Sequence, residues 1–345
     1  MSVRDEFLKE QRQLELNVNP NRRTFIGDSV VNDDYGFFSN ALEFIDTRVH
    51  KPLANFFWYR DLPYKMAGGA VEYASFYKTN YSYDEQSPIA SGQNNVLLTV
   101  NVQYQKTTTR VSAFSLILKV GLVDSMKADK MALNIYQDLD DGVLMKWNTM
   151  MDSISFFGLP GLADSYGLFN NPNVYVKAET STAWASQDGV TFFNNISALL
   201  LKAISDSAYD ARFTPNRILV PMALFTQLAA PLTVVGSGSA TATTGISLFN
   251  YIKQNLAFNF AGYDGGVDIF ANPYLASIGT NNTGRIVIYR YDEELVRGIM
   301  GMELTRGATL FDPSSVAYKT TFVSFVGEPQ FVYIKPIIYY DNKAA

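Results

Sequence analysis

Few side chains in this 345-residue sequence have the type and spacing for covalent or acid–base chemistry. There is no cysteine, which excludes disulfides, thiolate metal sites and cysteine nucleophiles. The one histidine, His50, stands beside Lys51 and Pro52; a Ser–His pair stays arithmetically possible, but any site needing two histidines is excluded. DLDDG at 138–142 looks like an acidic calcium loop, yet its acids are wrongly spaced for an EF-hand, and a solvated helix face explains them better. Glu293 and Glu294 could serve a glycosidase only by flanking one bond, an arrangement that adjacent acids seldom reach. No phosphate-binding G-x-x-x-x-G-K-[ST] loop occurs, and GSGSA at 236–240 lacks the final glycine of a nucleophile elbow. Asn80, Asn195 and Asn281 begin Asn-x-Ser/Thr triplets, which are chance matches without a secretory signal. The expectation is a chain that is not an enzyme, with no catalytic, cofactor-binding or metal-binding residues.

Composition points the same way. With 28 basic and 33 acidic residues the formal net charge is −5, which argues against a general nucleic-acid-binding surface but leaves room for a local basic patch. MSVRDEFLKEQRQLEL at the start is polar and charged, unlike a signal peptide, and no apolar run approaches the roughly 18 residues of a membrane span. A protein made and kept in the cytoplasm, with no membrane partner, is expected. Length gives two or so domains, and a 47% hydrophobic content supplies a substantial core. Aromatic residues reach 14% and charged residues only 18%, the balance of either a β-rich fold with large cores or a chain that buries surface against other copies of itself.

The elements follow from periodicity. Residues 1–60 read as an extended arm with short helices, held by the body of the chain or by a neighbour. Residues 64–83 and VLLTVNVQYQKTTTRV at 96–111 have strand character on either side of the polar tip DEQSPIASGQNN, 84–95, so a long hairpin is expected. Such a hairpin is marginal alone and needs a surface to lie on. Ala132, Tyr136, Leu139, Val143, Trp147, Met150 and Ile154 mark one face of a helix over 124–157, capped by Asp124, stopped by Gly158 and Pro160, and bent or broken at Gly142. Unbroken, it would be about 50 Å long. After residue 180, helices at 187–208, 222–229 and 247–256 (capped by Ser247) interleave with strands at 214–221, 267–275 and 285–291, and 231–245 reads as a flexible loop. FVSFVGEPQFVYIKPIIYY, 322–340, is strongly β.

FFGLPGLADSYGLFNNPNVYV, 156–176, is rich in glycine, proline and asparagine and poor in reactive groups. Gly158, Gly161, Gly167, Asn171, Pro172 and Val174 in this stretch resemble the elbow after the spine helix of tailed-bacteriophage major capsid proteins, the Hong Kong 97-type shell fold. PNRILVPMALFTQLA (215–229), GRIVIYRYDEELVRGIMG (284–301) and GEPQFVYIKPIIYYDN (327–342) are similar to the axial strand and helix, a strand–acidic-turn passage and the closing peripheral strand of that family.

The resemblance implies an α+β fold with an N-terminal arm (1–60), an extended loop (61–111), a peripheral domain with the spine helix (112–180), an axial α/β domain (181–310) and C-terminal strands returning to the peripheral domain (311–345). It implies a structural capsid protein that self-assembles through hexamers and pentamers into the icosahedral head shell around the phage genome. Portal, scaffolding or decoration proteins, and packaged DNA bound without sequence specificity, are the implied partners. The expected place is the virion, assembled in the host cytoplasm, with no fused scaffolding segment. Inter-subunit contacts are expected at Asp84, Glu85 and Gln86 on the loop tip and at Ser239 and Ala240 near the capsomer centre. Some relatives cross-link a lysine of the extended loop to a neighbour; Lys78 and Lys106 lie in that region, but no catalytic acid can be matched, so the chemistry is not carried over. An encapsulin-like compartment shell is the alternative within the fold; a carbohydrate-active hydrolase or binding module is the alternative outside it.

Overall fold

The computed structural model describes residues 54–343 apart from residues 70, 84–99, 131–134, 181, 236–240 and 259–265. The expected arm therefore lies outside the described residues up to residue 53, as does His50.

Two sheets organise the described chain. The first has the order β1-β10-β11-β3-β2, with β1 Tyr64–Met66, β2 Tyr73–Tyr83, β3 Val100–Gly121, β10 Val296–Asp312 and β11 Ala317–Phe331. The long strand β3 changes partner along its length: residues 100–110 pair with β2, and 111–121 pair with β11, both antiparallel. β10 is a strand that periodicity misses. Gly298, Gly301 and Gly307 interrupt its apolar pattern, and four irregularities break its register with β11, so no clean alternation survives. At Gly298 the ring of Tyr64 fills the space a Cβ would need.

The expected helix over 124–157 is described as α2 Leu122–Lys130 and α3 Ile135–Phe157. Asp124 sits in the first turn of α2, favourable to the helix dipole, rather than at the cap. The 23 residues of α3 span about 35 Å. The helix runs through Gly142, where an added Cβ would meet nothing within 4 Å. Its apolar stripe lies on the first sheet: Trp147, Met151 and Ile154 pack with Met300 and Val326, and Tyr136, Leu139 and Val143 against Leu118, Val120 and Phe322.

The elbow after α3 folds back along the last turn of the helix. Gly158 and Gly161 take φ of 90° and 82°, a left-handed conformation in which glycine avoids the Cβ penalty. Ser155 and Phe156 carbonyls, which have no acceptor role inside the helix end, receive N–H bonds from Leu168 and Phe169 at 2.9 and 3.1 Å, and Asn170 Nδ2 donates to Phe157 O at 2.9 Å. Phe156 and Phe169 rings stack at 4.5 Å. This return path is so close that a Cβ on Gly167 would collide with the backbone of Phe156.

The second sheet has the order β4-β12-β9-β5-β8, from β4 Tyr175–Ala178, β5 Arg217–Val220, β8 Asp268–Ala271, β9 Arg285–Tyr289 and β12 Ile338–Asp341. Its central strands are buried on both faces, which is why ILV (218–220), IVIY (286–289) and IIYY (337–340) read as unbroken apolar runs. Alternation divides each run between two cores. Ile218, Ile286, Ile288 and Ile338 face α4 Gly189–Asp206, α5 Met222–Leu228 and α6 Leu248–Phe258, whereas Leu219, Val287, Tyr289 and Tyr339 face the elbow and Leu62. Ser247 caps α6 as expected, its Oγ accepting from Asn250 N at 3.3 Å. The stretch 231–245 is not an open loop: β6 Pro231–Val235 and β7 Thr241–Ser247 form an antiparallel hairpin, because its valines and threonines favour extended backbone more than its glycines oppose it. The C-terminal run 322–340 is two strands on two sheets, β11 on the first and β12 on the second, separated by a turn at 332–337 that contains Pro336.

One short segment joins these parts. The backbone N–H groups of Phe57 and Trp58, at the start of α1 Trp58–Asp61, donate to Asp152 Oδ1 of α3 at 2.9 and 2.7 Å. Asp61, fully buried, takes Arg60 and the Asn272 amide. Tyr289 donates to the Asp61 carbonyl and Arg217 to that of Arg60, from the second sheet. Tyr64 meets Ser155 of α3 at 2.7 Å, and β1 then pairs with β10 in the first sheet.

Two expectations test this account. Gly142→Ala should raise subunit stability by about 0.5–1 kcal/mol in denaturant unfolding, since the site is open and mid-helical, while Gly167→Ala should cost about 3 kcal/mol or more because the elbow cannot back away from α3. A second test uses the buried Arg285–Asp341 pair, 2.6 Å apart. Burial pushes the Asp341 carboxyl up, but Arg285 and the Thr280 N–H and hydroxyl outweigh it and hold the group below its ordinary value of 3.8. Its ionised form therefore stabilises the fold above that value, and the contribution fades as pH falls through the lowered one. Asp341→Asn should cost about 3–5 kcal/mol at neutral pH, leaving a buried unpaired guanidinium, and the deficit relative to wild type should shrink in acid titrations below pH 4, roughly the carboxylate range.

Candidate functional site

Two of the acids that the sequence singles out are held in ion pairs. Asp140 of the DLDDG stretch pairs with Arg306 at 2.7 Å, and Glu293 with Lys65 at 3.6 Å. Among the described residues no group of three or more His, Cys, Asp or Glu is placed to hold a metal ion. A surface cavity of about 210 Å³ beside Trp184 is lined by apolar residues and glutamines with no titratable group. Elsewhere the perturbed groups serve packing: burial pushes the Tyr340 hydroxyl up to about 12 while it donates to Glu179 at 2.7 Å.

The feature without an internal purpose is the ribbon of β2 and the first half of β3. Their register, Tyr73↔Arg110 through Tyr83↔Val100, sorts side chains by parity, because directly paired residues share a face. One face carries Ala74, Phe76, Lys78 and Asn80, opposite Thr109, Thr107, Gln105 and Gln103. At its base this face turns to the body. Ala74 and Phe76 are buried, Gln330 Nε2 donates to Thr109 Oγ1 at 2.6 Å, and the Lys78 ammonium lies over the rings of Phe76 and Tyr333 at 5.6 and 5.5 Å. Burial there lowers the Lys78 pKa.

The other face carries Tyr73, Tyr77 and Tyr81 with Arg110, Lys106 and Val102, and Tyr104 opposite Thr79. Tyr73, Tyr77, Tyr81 and Tyr104 are 61–71% exposed. A contiguous aromatic face left in water marks an interaction surface, unlike single exposed apolar residues. Period-2 reading finds these tyrosines but cannot sort them by face, because the pairing of β2 with β3 fixes which β3 residues join them.

The loop-tip residues Asp84, Glu85 and Gln86, between β2 and β3, and Ser239 and Ala240, between β6 and β7, lie outside the described residues. Of the two loop lysines, Lys78 belongs to the body-facing side and Lys106 to the aromatic side, directly across from Tyr77.

The capsid of Myoviridae phage XM1 shares the fold at a TM-score of 0.70 and 12% identity, over 92% of this chain and 99% of that one. The capsid of the native GTA particle gives 0.58 at 12%, covering 91% and 100%. The holo-SrpI encapsulin complex from Synechococcus elongatus PCC 7942 gives 0.54 at 12%, covering 91% and 96%. No curated protein matches the sequence. The mixed α+β arrangement is thus the Hong Kong 97-type phage capsid fold. A model of the family described as major capsid protein matches residues 85–342, most of the chain, including the second ribbon strand, α3, the elbow, the whole second sheet, and β3, β10 and β11 of the first. The chain belongs to the major capsid protein family and is a structural, shell-forming protein of the virion.

Proposed function

We propose that the protein builds the icosahedral head shell around a phage genome, through hexamers and pentamers, without enzymatic activity. The observation that carries this reading is the ribbon: two strands with an exposed aromatic face and no core of their own. Such a limb gains its stabilisation from another molecule, and in a self-assembling family that molecule is another copy. Many modest contacts of this kind, multiplied around a closed surface, make a stable container.

In this reading the ribbon with its tip is the extended loop. The peripheral domain (112–180) then contributes α3 and the elbow, the axial domain (181–310) α4 to α6, and the C-terminal strands (311–345) return through β11, although β10 lies in the first sheet and β4 and β12 lie in the second. The hairpin of β6 and β7 then brings Ser239 and Ala240 toward the capsomer centre, and Asp84, Glu85 and Gln86 touch a neighbour. Portal, scaffolding or decoration proteins and non-specifically held DNA complete the virion. The encapsulin alternative has the weaker structural likeness, 0.54 against 0.70.

Electron microscopy of the purified protein, alone or co-expressed with assembly partners, should show closed shells or shell fragments; a monodisperse monomer under every assembly condition would overturn the reading. Deleting residues 84–95 should leave a folded subunit with unchanged thermal melting that no longer yields stable particles in size exclusion. If that deletion unfolds the subunit, the tip belongs to the chain's own core and is no assembly element.

A further inference from the structure

We propose that the ribbon binds on one side only: its tyrosine face, with Lys106, docks by charge on the anionic surface of a second copy of this chain. The proposal rests on the shell reading above and adds which face is used and what chemistry recognises it.

Three observations converge. First, the two faces differ in availability. The side of Ala74, Phe76 and Lys78 is engaged by Gln330 and Tyr333 of the same chain, while the side of Tyr73, Tyr77, Tyr81 and Tyr104 meets no described residue that buries it. Second, the open face has the composition of an interface centre, where tyrosine is enriched because it contributes large area with little rotamer freedom to lose. Third, the charge is lopsided. The eleven residues of β2 and the eleven of β3 paired with them contain Lys78, Lys106 and Arg110 and no acid. The tip that joins the strands adds Asp84 and Glu85, so residues 73–110 carry three cations and two acids, against 25 basic and 31 acidic residues on the rest of the chain. Paired strands whose only charges are cationic are complementary to the acidic remainder of the next copy. The backbone N–H of Arg110 donates to Glu328 at 2.9 Å, so that carboxylate already sits by Arg110; no ion pair within the described residues engages Lys106. Contact between unlike patches is heterologous and closes rings when the rotation allows it. Tyrosines beside lysines also suit single-stranded nucleic acid, but the net charge of the body opposes a polyphosphate.

The test compares faces. Tyr77→Ser with Tyr81→Ser should abolish shells while the subunit's melting temperature stays unchanged; Asn80→Ala with Gln103→Ala, on the opposite side, should assemble like wild type. Lys106→Glu should slow assembly about tenfold or more, and wild-type assembly should slow as ionic strength rises. In particles made from a mixture of isotopically light and heavy copies, a zero-length carbodiimide should join Lys106 to an Asp or Glu of the other label. Should the double tyrosine variant fail to fold, Lys106→Glu and the cross-link still decide. Normal shells from the tyrosine variant, or Lys106 linked only within its own copy, would overturn the one-sided docking. If wild type and the Asn80/Gln103 variant form shells in that case, the shell reading stands regardless. Tyrosine or Lys106 variants that assemble normally but retain less DNA would assign the face to nucleic acid and overturn the proposal as well.

Discussion

The arrangement depends on a few backbone groups between Phe57 and Ala67. In this segment Asp152 of the spine helix holds the start of α1, Asn272 and Tyr289 hold Asp61 and its carbonyl, and Gly298 N and Ala67 N complete the bonding to β10 at 2.8 Å each. Each contact alone is modest, but an unsatisfied buried polar group costs far more than its bond contributes, so the members support one another. Burial raises the Asp152 pKa against the two backbone N–H bonds that lower it, with Asp61 adding like charge. That buried carboxylate sits where α3 meets the segment that reaches both sheets.

From this junction the rest follows mechanically. The first sheet and α3 share cores through Trp147, Met151 and Ile154. The elbow closes the end of α3 and at the same time roofs one face of the second sheet through Phe156, Leu168 and Phe169. A subunit stiffened in this way can support a limb that has no core, because the base of the ribbon is anchored at Ala74 and Phe76 by Gln330 and Arg297. Rigid body and unsupported limb are complementary properties: the first makes the geometry of a shell reproducible, and the second defers part of the burial until copies meet.

The exposed tyrosines would be a hazard in an isolated protein. A long strand edge with aromatic residues invites unspecific pairing. The cations of the ribbon reduce that risk, since like-charged ribbons repel each other, while leaving attraction to an acidic body intact. The same residues thus bear on solubility before assembly and on recognition during it.

Much of this was legible in the residues. The apolar stripe from Tyr136 to Ile154, the stop at Gly158, the helix cap at Ser247 and the two strand-rich runs around 84–95 follow from local rules, because helix periodicity, positive φ and capping are properties of neighbouring residues. Fold class and family were also readable from the order of those elements, confirmed by the match over 85–342. Other features required the tertiary structure. The strand β10 hides behind glycines whose meaning lies in Tyr64 and bulged pairing. The closing run 322–340 divides between two sheets because Phe331 and Ile338 find different partners. Gly142 does not break its helix, since packing along the first sheet carries the helix across it. The face of the ribbon that remains open was decided by register between residues 17 to 37 positions apart and by contacts from Gln330 and Tyr333. Sequence determines what each residue can do next to its neighbours; only long-range pairing decides which side of it meets water.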